Sequence, residues 1–248
     1  MMASTEEEIK PDAGDLLIFG DDTGHETFAG DQAFYGLGCC LVLGEHYEHL
    51  KSRWRDVRKI IKGDPDAPLH ASDITVSAKP EDFVALGDVF KDPCFARVAV
   101  TTTKSVALPA LMEPCEPVMG LLEDQIRAIA GLLPCKRIWI VLEASKRADS
   151  TVMRCFGRLA SLGPVSSSPA EHRFLPKSAN EPGLEVADFI VSAAGTRVRH
   201  RMRGKSGEPP DFSQVFRQLP RIGCRYREAT KVTHHPDGTI SIDSISPL

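Results

Sequence analysis

The strongest constraint on this chain is an alternation of short apolar runs with stretches of helical period. Leu16-Leu17-Ile18-Phe19 is a compact apolar run that stops at Gly20-Asp21-Asp22-Thr23-Gly24, as a buried strand ending in a turn does. Residues 33–43 (AFYGLGCCLVL) read as a second strand, and Gly36 and Gly38 within it point to a bulge or a close backbone approach. Residues 45–61 place Tyr47, Leu50, Trp54, Val57 and Ile61 on one helical face. A short helix follows over 77–90, with Pro80 near its start. Arg97–Thr103 reads as a β-rich strand, 116–133 as a helix stopped by Pro134, and Arg137–Leu142 as the clearest buried strand, ending in Glu143. Residues 150–162 are expected to form a helix capped by Ser150. Loops are expected over 161–169 and 205–210. Between them come a short edge strand at 171–175 and a long helix from Leu184 to about Met202. Residues 226–245 read as a hairpin around Pro236-Asp237-Gly238. This order predicts an α/β fold with one central mixed sheet flanked by helices and a C-terminal β-hairpin.

The bulk properties narrow the function. The chain has 248 residues, is 42% hydrophobic and 26% charged, and carries a formal charge of −4. That suits a single domain with a sizeable core. We expect a frayed tail over 1–14, one domain over 15–248, and an extension within it from about 205. The charge argues against a uniformly basic nucleic-acid binder but allows a local basic face. No apolar run approaches the roughly 20 residues of a membrane span, and the acidic start MMASTEEEIKPDAGD is neither a signal nor a transit peptide. The seven cysteines form no C-x-x-C pair, so buried thiols in a reducing cytoplasm are expected. No P-loop, dinucleotide fingerprint or nucleophile elbow occurs.

Carboxylates mark the chemistry. Asp21 and Asp22 close the first strand, Asp73 follows Leu69-His70-Ala71-Ser72, and Glu143 closes the central strand. Glu185 and Asp188 lie three apart on the last long helix. Taken singly, each has a simpler role as a turn, cap or helix-dipole residue. Taken together, they form a set that strand ends and an approaching helix can gather. Such a set repels itself unless a cation neutralises it. Hard divalent ions, Mg²⁺ or Mn²⁺, suit oxygen donors, and a pair of them supports phosphodiester cleavage. Imidazole works as an acid or base near neutral pH, so His70 is a catalytic candidate, or else a structural turn residue. His25 is a weaker candidate, and His234-His235 reads as a solvated pair. Arg197, Arg199, Arg201 and Arg203, with His200 and Lys205, form a basic run. It either complements the helix dipole or grips phosphates. A second cluster, Arg53, Arg55, Arg58, Lys59 and Lys62, reads as surface.

Three motifs, LLIFGDDTG, LHASD and FLPKSANEPGLEVADFI, together resemble the bacterial domain of unknown function 3800 family over residues 15 to 200. The resemblance implies a ribonuclease H-like fold. It sets Asp21 at the family's first-strand aspartate and Asp22 at its glutamate. Asp73 stands at an acidic position, Glu143 at an acidic strand end, and Asp188 at the closing aspartate of the late helix motif. Glu185 stands where the family has glutamine. The function expected is a metal-dependent phosphodiesterase or nuclease acting on DNA or RNA. In it Asp21, Glu143, Asp188 and His70 are catalytic, and Asp21, Asp22, Asp73, Glu143, Glu185 and Asp188 hold metal. Rival readings are an inactive nucleic-acid- or protein-binding module of the same fold and a hydrolase of small phosphates. A homodimer is compatible with either.

Overall fold

The computed structural model describes residues 9–25, 28, 33–109, 112–133, 135–143, 171–206 and 224–246. The helix expected over 150–162, the loop over 161–169 and most of the loop over 205–210 lie outside them, as do the first eight residues of the expected tail. Seven strands build one sheet: β1 Asp15–Gly24, β2 Phe34–Leu43, β3 Phe95–Thr103, β4 Arg137–Glu143, β5 Glu171–Leu175, β6 Cys224–His234 and β7 Ile240–Ile245. Five helices are described: α1 Gly44–Lys62, α2 Ala71–Ser77, α3 Pro80–Phe90, α4 Cys115–Ala130 and α5 Pro182–Met202.

The sheet order is β5-β4-β1-β2-β3-β6-β7. β2 runs antiparallel to β1 and β3, whereas β1, β4 and β5 run parallel to one another. β6 continues the sheet parallel to β3, and β7 folds back on it as the expected hairpin. A central mixed sheet flanked by helices, ending in a C-terminal hairpin, is the α/β architecture expected. The stretch expected as a single helix over 77–90 begins only at Pro80, and a separate helix, α2, precedes it. The α2 segment was legible only as a turn because its seven residues are too few to display a helical period.

Alternation along the strands sorts the core into two layers. Leu16 and Ile18 of β1 pack on the α4 side with Val118, Leu122 and Ile126. Leu17 and Phe19 face the other layer, among Leu50, Trp54, Phe189 and Ile190. α1 presents Tyr47, Leu50, Trp54 and Val57 to that layer, and Gly63 ends it in the left-handed region at φ 77°. Trp54 and Phe189 meet edge to face at 5.3 Å, a geometry worth about 0.5–1.5 kcal/mol beyond its buried area. Ile9 is buried in the same layer at 7% exposure, so the chain is already packed six residues before β1 begins.

α5 lies unusually close to the sheet. A Cβ on Gly38 of β2 would come within 2.6 Å of Val191, and one on Gly183 within 2.4 Å of the Phe19 ring. Glycine at both places removes the side chain that would hold helix and sheet apart. This is the close approach expected at Gly38, and it brings the polar face of α5 down onto the ends of β1 and β4.

Candidate carboxylate site

Strand parity aims the first two carboxylates. Asp21 shares a face with Leu17 and Phe19, and Glu143 shares one with Trp139 and Val141. The parallel register pairs Phe19 with Val141 and Gly20 with Leu142, so the next step along each strand sets Asp21 beside Glu143. Both therefore project toward α5. Pro182 occupies its first turn, and the Glu181 side chain accepts from the Gly183 N–H at the N-terminus. Two turns on, Asp188 faces the strand ends.

Asp21, Glu143, Asp188 and His70 line one cavity of about 370 Å³. Its walls also carry Lys177, Ser72, Ser192, Thr196 and Arg199. Asp188 Oδ2 accepts from the Ala71 N–H at 2.9 Å and lies 3.9 Å from His70 Nδ1. The start of α2 is thus tied directly to α5.

The electrostatics are those of crowded like charges. Burial pushes the Asp21 carboxyl well above the usual carboxylate range. The negative charges of Asp188, Asp22 and Glu143 push it the same way, against one favourable hydrogen bond from the Asp22 N–H. Burial also raises Asp188 and Glu143 adds to it, while the Ala71 N–H, His70 and Lys177 draw it back. A half-buried carboxylate set of this kind offers a hard cation only oxygen donors, and neutralisation would relieve the repulsion.

Asp22, Asp73 and Glu185 do not line this cavity. Asp73 Oδ2 accepts from the His70 N–H at 2.9 Å to cap α2, and Lys62 Nζ sits 3.1 Å from the same oxygen. Those partners hold its carboxyl below the ordinary range against the opposing effect of burial. Asp22, one residue from Asp21, falls on the opposite strand face by parity, and its charge reaches Asp21 without its side chain lining the cavity. Glu185 lines a narrower recess that adjoins Glu143 and Asp188. Its carboxylate, however, is engaged from α1: Trp54 Nε1 donates to Oε2 at 2.6 Å and Arg58 Nε at 2.9 Å. Arg58 is therefore not a surface residue. It is buried at 4% exposure, because Glu185 and the Asn180 carbonyl, 2.6 Å from its Nη2, satisfy it.

The basic run divides. Arg199 lines the cavity, its guanidinium 5.4 Å from the Phe34 ring. Arg201 turns to β6 and pairs with Glu228. Arg203 is the C-terminal cap of α5 and is exposed, and Arg197 does not line the cavity. Ser192 and Thr196 escaped the sequence reading, although they follow Asp188 at four-residue steps and so share its helix face. Lys177 had no signal beyond its place in the PKSAN stretch.

No protein-family model matches the chain, and no curated protein matches it. Two solved structures of Bst-RNase HIII align with it. One is a complex with Mn²⁺, at 11% identity and a TM-score of 0.38. The other is a glutamine-to-alanine mutant of that protein, at 12% identity and a TM-score of 0.37. Each alignment covers 85% of this chain but 64% of the other, so this chain spans less than two thirds of their length. The chemistry of the cavity is accordingly read from its own side chains. No helix among the described residues is long and apolar enough to cross a membrane.

Proposed function

We propose that the protein is a divalent-metal-dependent phosphodiesterase acting on nucleic acid, a reading consistent with membership of the domain of unknown function 3800 family. The observation that carries it is that Asp21, Glu143 and Asp188 line one cavity, with Asp21 crowded by like charges. These three residues would hold Mg²⁺ or Mn²⁺. Bound there, the ion supplies an activated water and stabilisation of a departing oxygen.

The chain's own groups do the rest. Lys177 and Arg199, both on the cavity wall, offer positive charge to a phosphate. Ser192 and Thr196 offer hydroxyl donors between Asp188 and Arg199. His70, at the start of α2 beside Asp188, would exchange a proton with a substrate oxygen. Asp73 serves this site indirectly, because its cap fixes the backbone of His70.

The test is a cleavage assay with Mn²⁺ or Mg²⁺ on single- and double-stranded DNA, RNA and hybrid duplex. Cleavage lost with EDTA and in Asp21→Asn, Glu143→Gln and Asp188→Asn supports the proposal. Binding to these polymers without cleavage would replace it by the binding module. Turnover of free nucleotides alone would replace it by a small-phosphate hydrolase.

A further inference from the structure

A second cluster of metal-ligating side chains lies apart from the cavity residues and has different chemistry. His49 of α1 meets Asp92 and Cys94, which lie between α3 and β3. One ligand atom from each of the three lies within 4.8 Å of the other two. His49 Nε2 stands 2.7 Å from Asp92 Oδ2. The other carboxylate oxygen, Oδ1, accepts from the Cys94 N–H at 2.9 Å. That bond orients the carboxylate and bends the turn so that the Cys94 sulfur joins the group, as outer-shell hydrogen bonds do for ligands. We propose that His49, Asp92 and Cys94 form a binding site for a borderline-soft divalent transition metal of the zinc class, joining α1 to the turn before β3.

The donor set selects the metal. Nitrogen, sulfur and one oxygen suit Zn²⁺ and its tetrahedral substitute Co²⁺, whereas Mg²⁺ and Ca²⁺ require oxygen. Tetrahedral zinc at ordinary bond lengths spaces its ligand atoms roughly 3.3–3.8 Å apart. The present spacings start at 2.7 Å and none exceeds 4.8 Å. The His49 side chain, 51% exposed, can turn to even them out. Its exposure also leaves a fourth position for water. Without metal, a His–Asp ion pair holds the 2.7 Å contact and the Cys94 thiol donates to the Asp92 carboxylate; a metal would take the place of that thiol proton and join all three donors. Arg53 Nε, 3.8 Å from Asp92 Oδ2 and 38% exposed, can swing into solvent when a cation arrives.

The consequence lies behind the cavity. α1 carries Trp54 and Arg58, which hold Glu185 one turn before Asp188. A metal joining α1 to the α3–β3 turn stiffens that support without touching the carboxylates. The inference does not rest on the nuclease reading.

The experiment is a Co²⁺ titration of the full chain in excess Mg²⁺. Expected are a thiolate-to-cobalt charge-transfer band at one equivalent, its loss in Cys94→Ser, and an affinity at least about tenfold weaker in His49→Ala. Zn²⁺ should bleach the band, and Asp188→Asn should leave it intact. Absence of the band in the wild type, or its survival in Cys94→Ser, overturns the proposal. Thiol alkylation gives an independent readout. Zn²⁺ should protect Cys94 in the wild type, and equal alkylation of Cys94 with and without Zn²⁺ overturns the site whatever the variants do.

Discussion

Arg58 and Glu185 form an ion pair inside the protein, with Nη2 2.8 Å from Oε1 and both side chains 5% exposed. It joins α1 to α5 one turn before Asp188. Removing one partner of such a pair strands the other charge in the core, at about 3–5 kcal/mol. We expect Arg58→Met and Glu185→Leu each to lower stability by that order in urea denaturation. The double variant should recover part of the loss, because two apolar side chains leave no buried charge but strip the Trp54 N–H of its acceptor. A double variant no more stable than the singles would show that the pair is needed for packing rather than for charge balance.

A second buried carboxylate gives a pH signature. Burial raises the Asp15 carboxyl, but hydrogen bonds from Arg137, from Trp139 and from the Asp12 N–H outweigh it and leave the group below its ordinary value of 3.8. Trp139 Nε1 donates to Oδ2 at 2.9 Å. A depressed folded-state pKa means stability that is present above about pH 4 and lost as pH falls through the folded value. Asp15→Asn should therefore cost stability at neutral pH, and the gap to wild type should close as the pH drops below about 4. A gap constant from about pH 7 to about pH 3 would rule out the ionic contribution.

The arginines of α5 should separate by assay. Arg199 faces the cavity, and Arg201 faces Glu228. Arg199→Ala should reduce the salt dependence of nucleic-acid binding by about 0.7–0.9 in log–log slope, the value of one lost phosphate contact. Arg201→Ala should leave the slope alone. It should instead lower stability by roughly 1–2 kcal/mol, since Glu228, at 8% side-chain exposure, loses its partner while solvent screens part of the pair. Equal slopes for Arg199→Ala and wild type would confine Arg199 to its contacts with Phe34 and Thr196.

These residues also show where the sequence was readable. The placement of Asp21 and Glu143 at one cavity was legible because each ends an apolar run, and strand parity then decides the face. Asp188 was legible from the late helix motif. Glu185, three residues away, was expected beside it as a ligand, but its bonds to Trp54 and Arg58 had no local signal. A step of three turns the helix by roughly 60° short of a full circle, enough to swing Glu185 toward a partner 127 residues distant in sequence. Arg58 was hidden for the same reason, since a charged run looks solvated until a buried acid is found for it. Asp73 caps α2 through His70, and a capping box opened by histidine lacks the usual Ser or Thr signal. The sheet order was expected only as mixed, because β1 meets β4 across two strands and several helices that no local pattern links.

The carboxylate cavity makes its sharpest prediction about stability. Asp21 and Asp188 both have folded-state pKa values raised above the ordinary 3.8. The folded protein therefore holds their protons more tightly than the unfolded chain does. By linkage the metal-free protein should lose stability as pH rises from about 4 through those raised values. A divalent ion bound only to the folded state reverses the loss, adding about 2.7 kcal/mol at a hundredfold excess over its dissociation constant. For a chain of this size that is roughly 5–11 °C in melting temperature. Asp188→Asn removes one repelling charge, and its amide oxygen can still accept from the Ala71 N–H that Asp188 holds at 2.9 Å. The variant should therefore melt higher than wild type without metal at neutral pH, and respond less to Mn²⁺ or Mg²⁺. An aspartate serving only to hold the Ala71 N–H and His70 has the opposite sign, since neutralising it would weaken those contacts. Thermal melts of both proteins, with EDTA and with millimolar metal, distinguish the two. If neither ion moves the wild-type melt, the cavity is not a metal site, and the binding module becomes the better account of the fold.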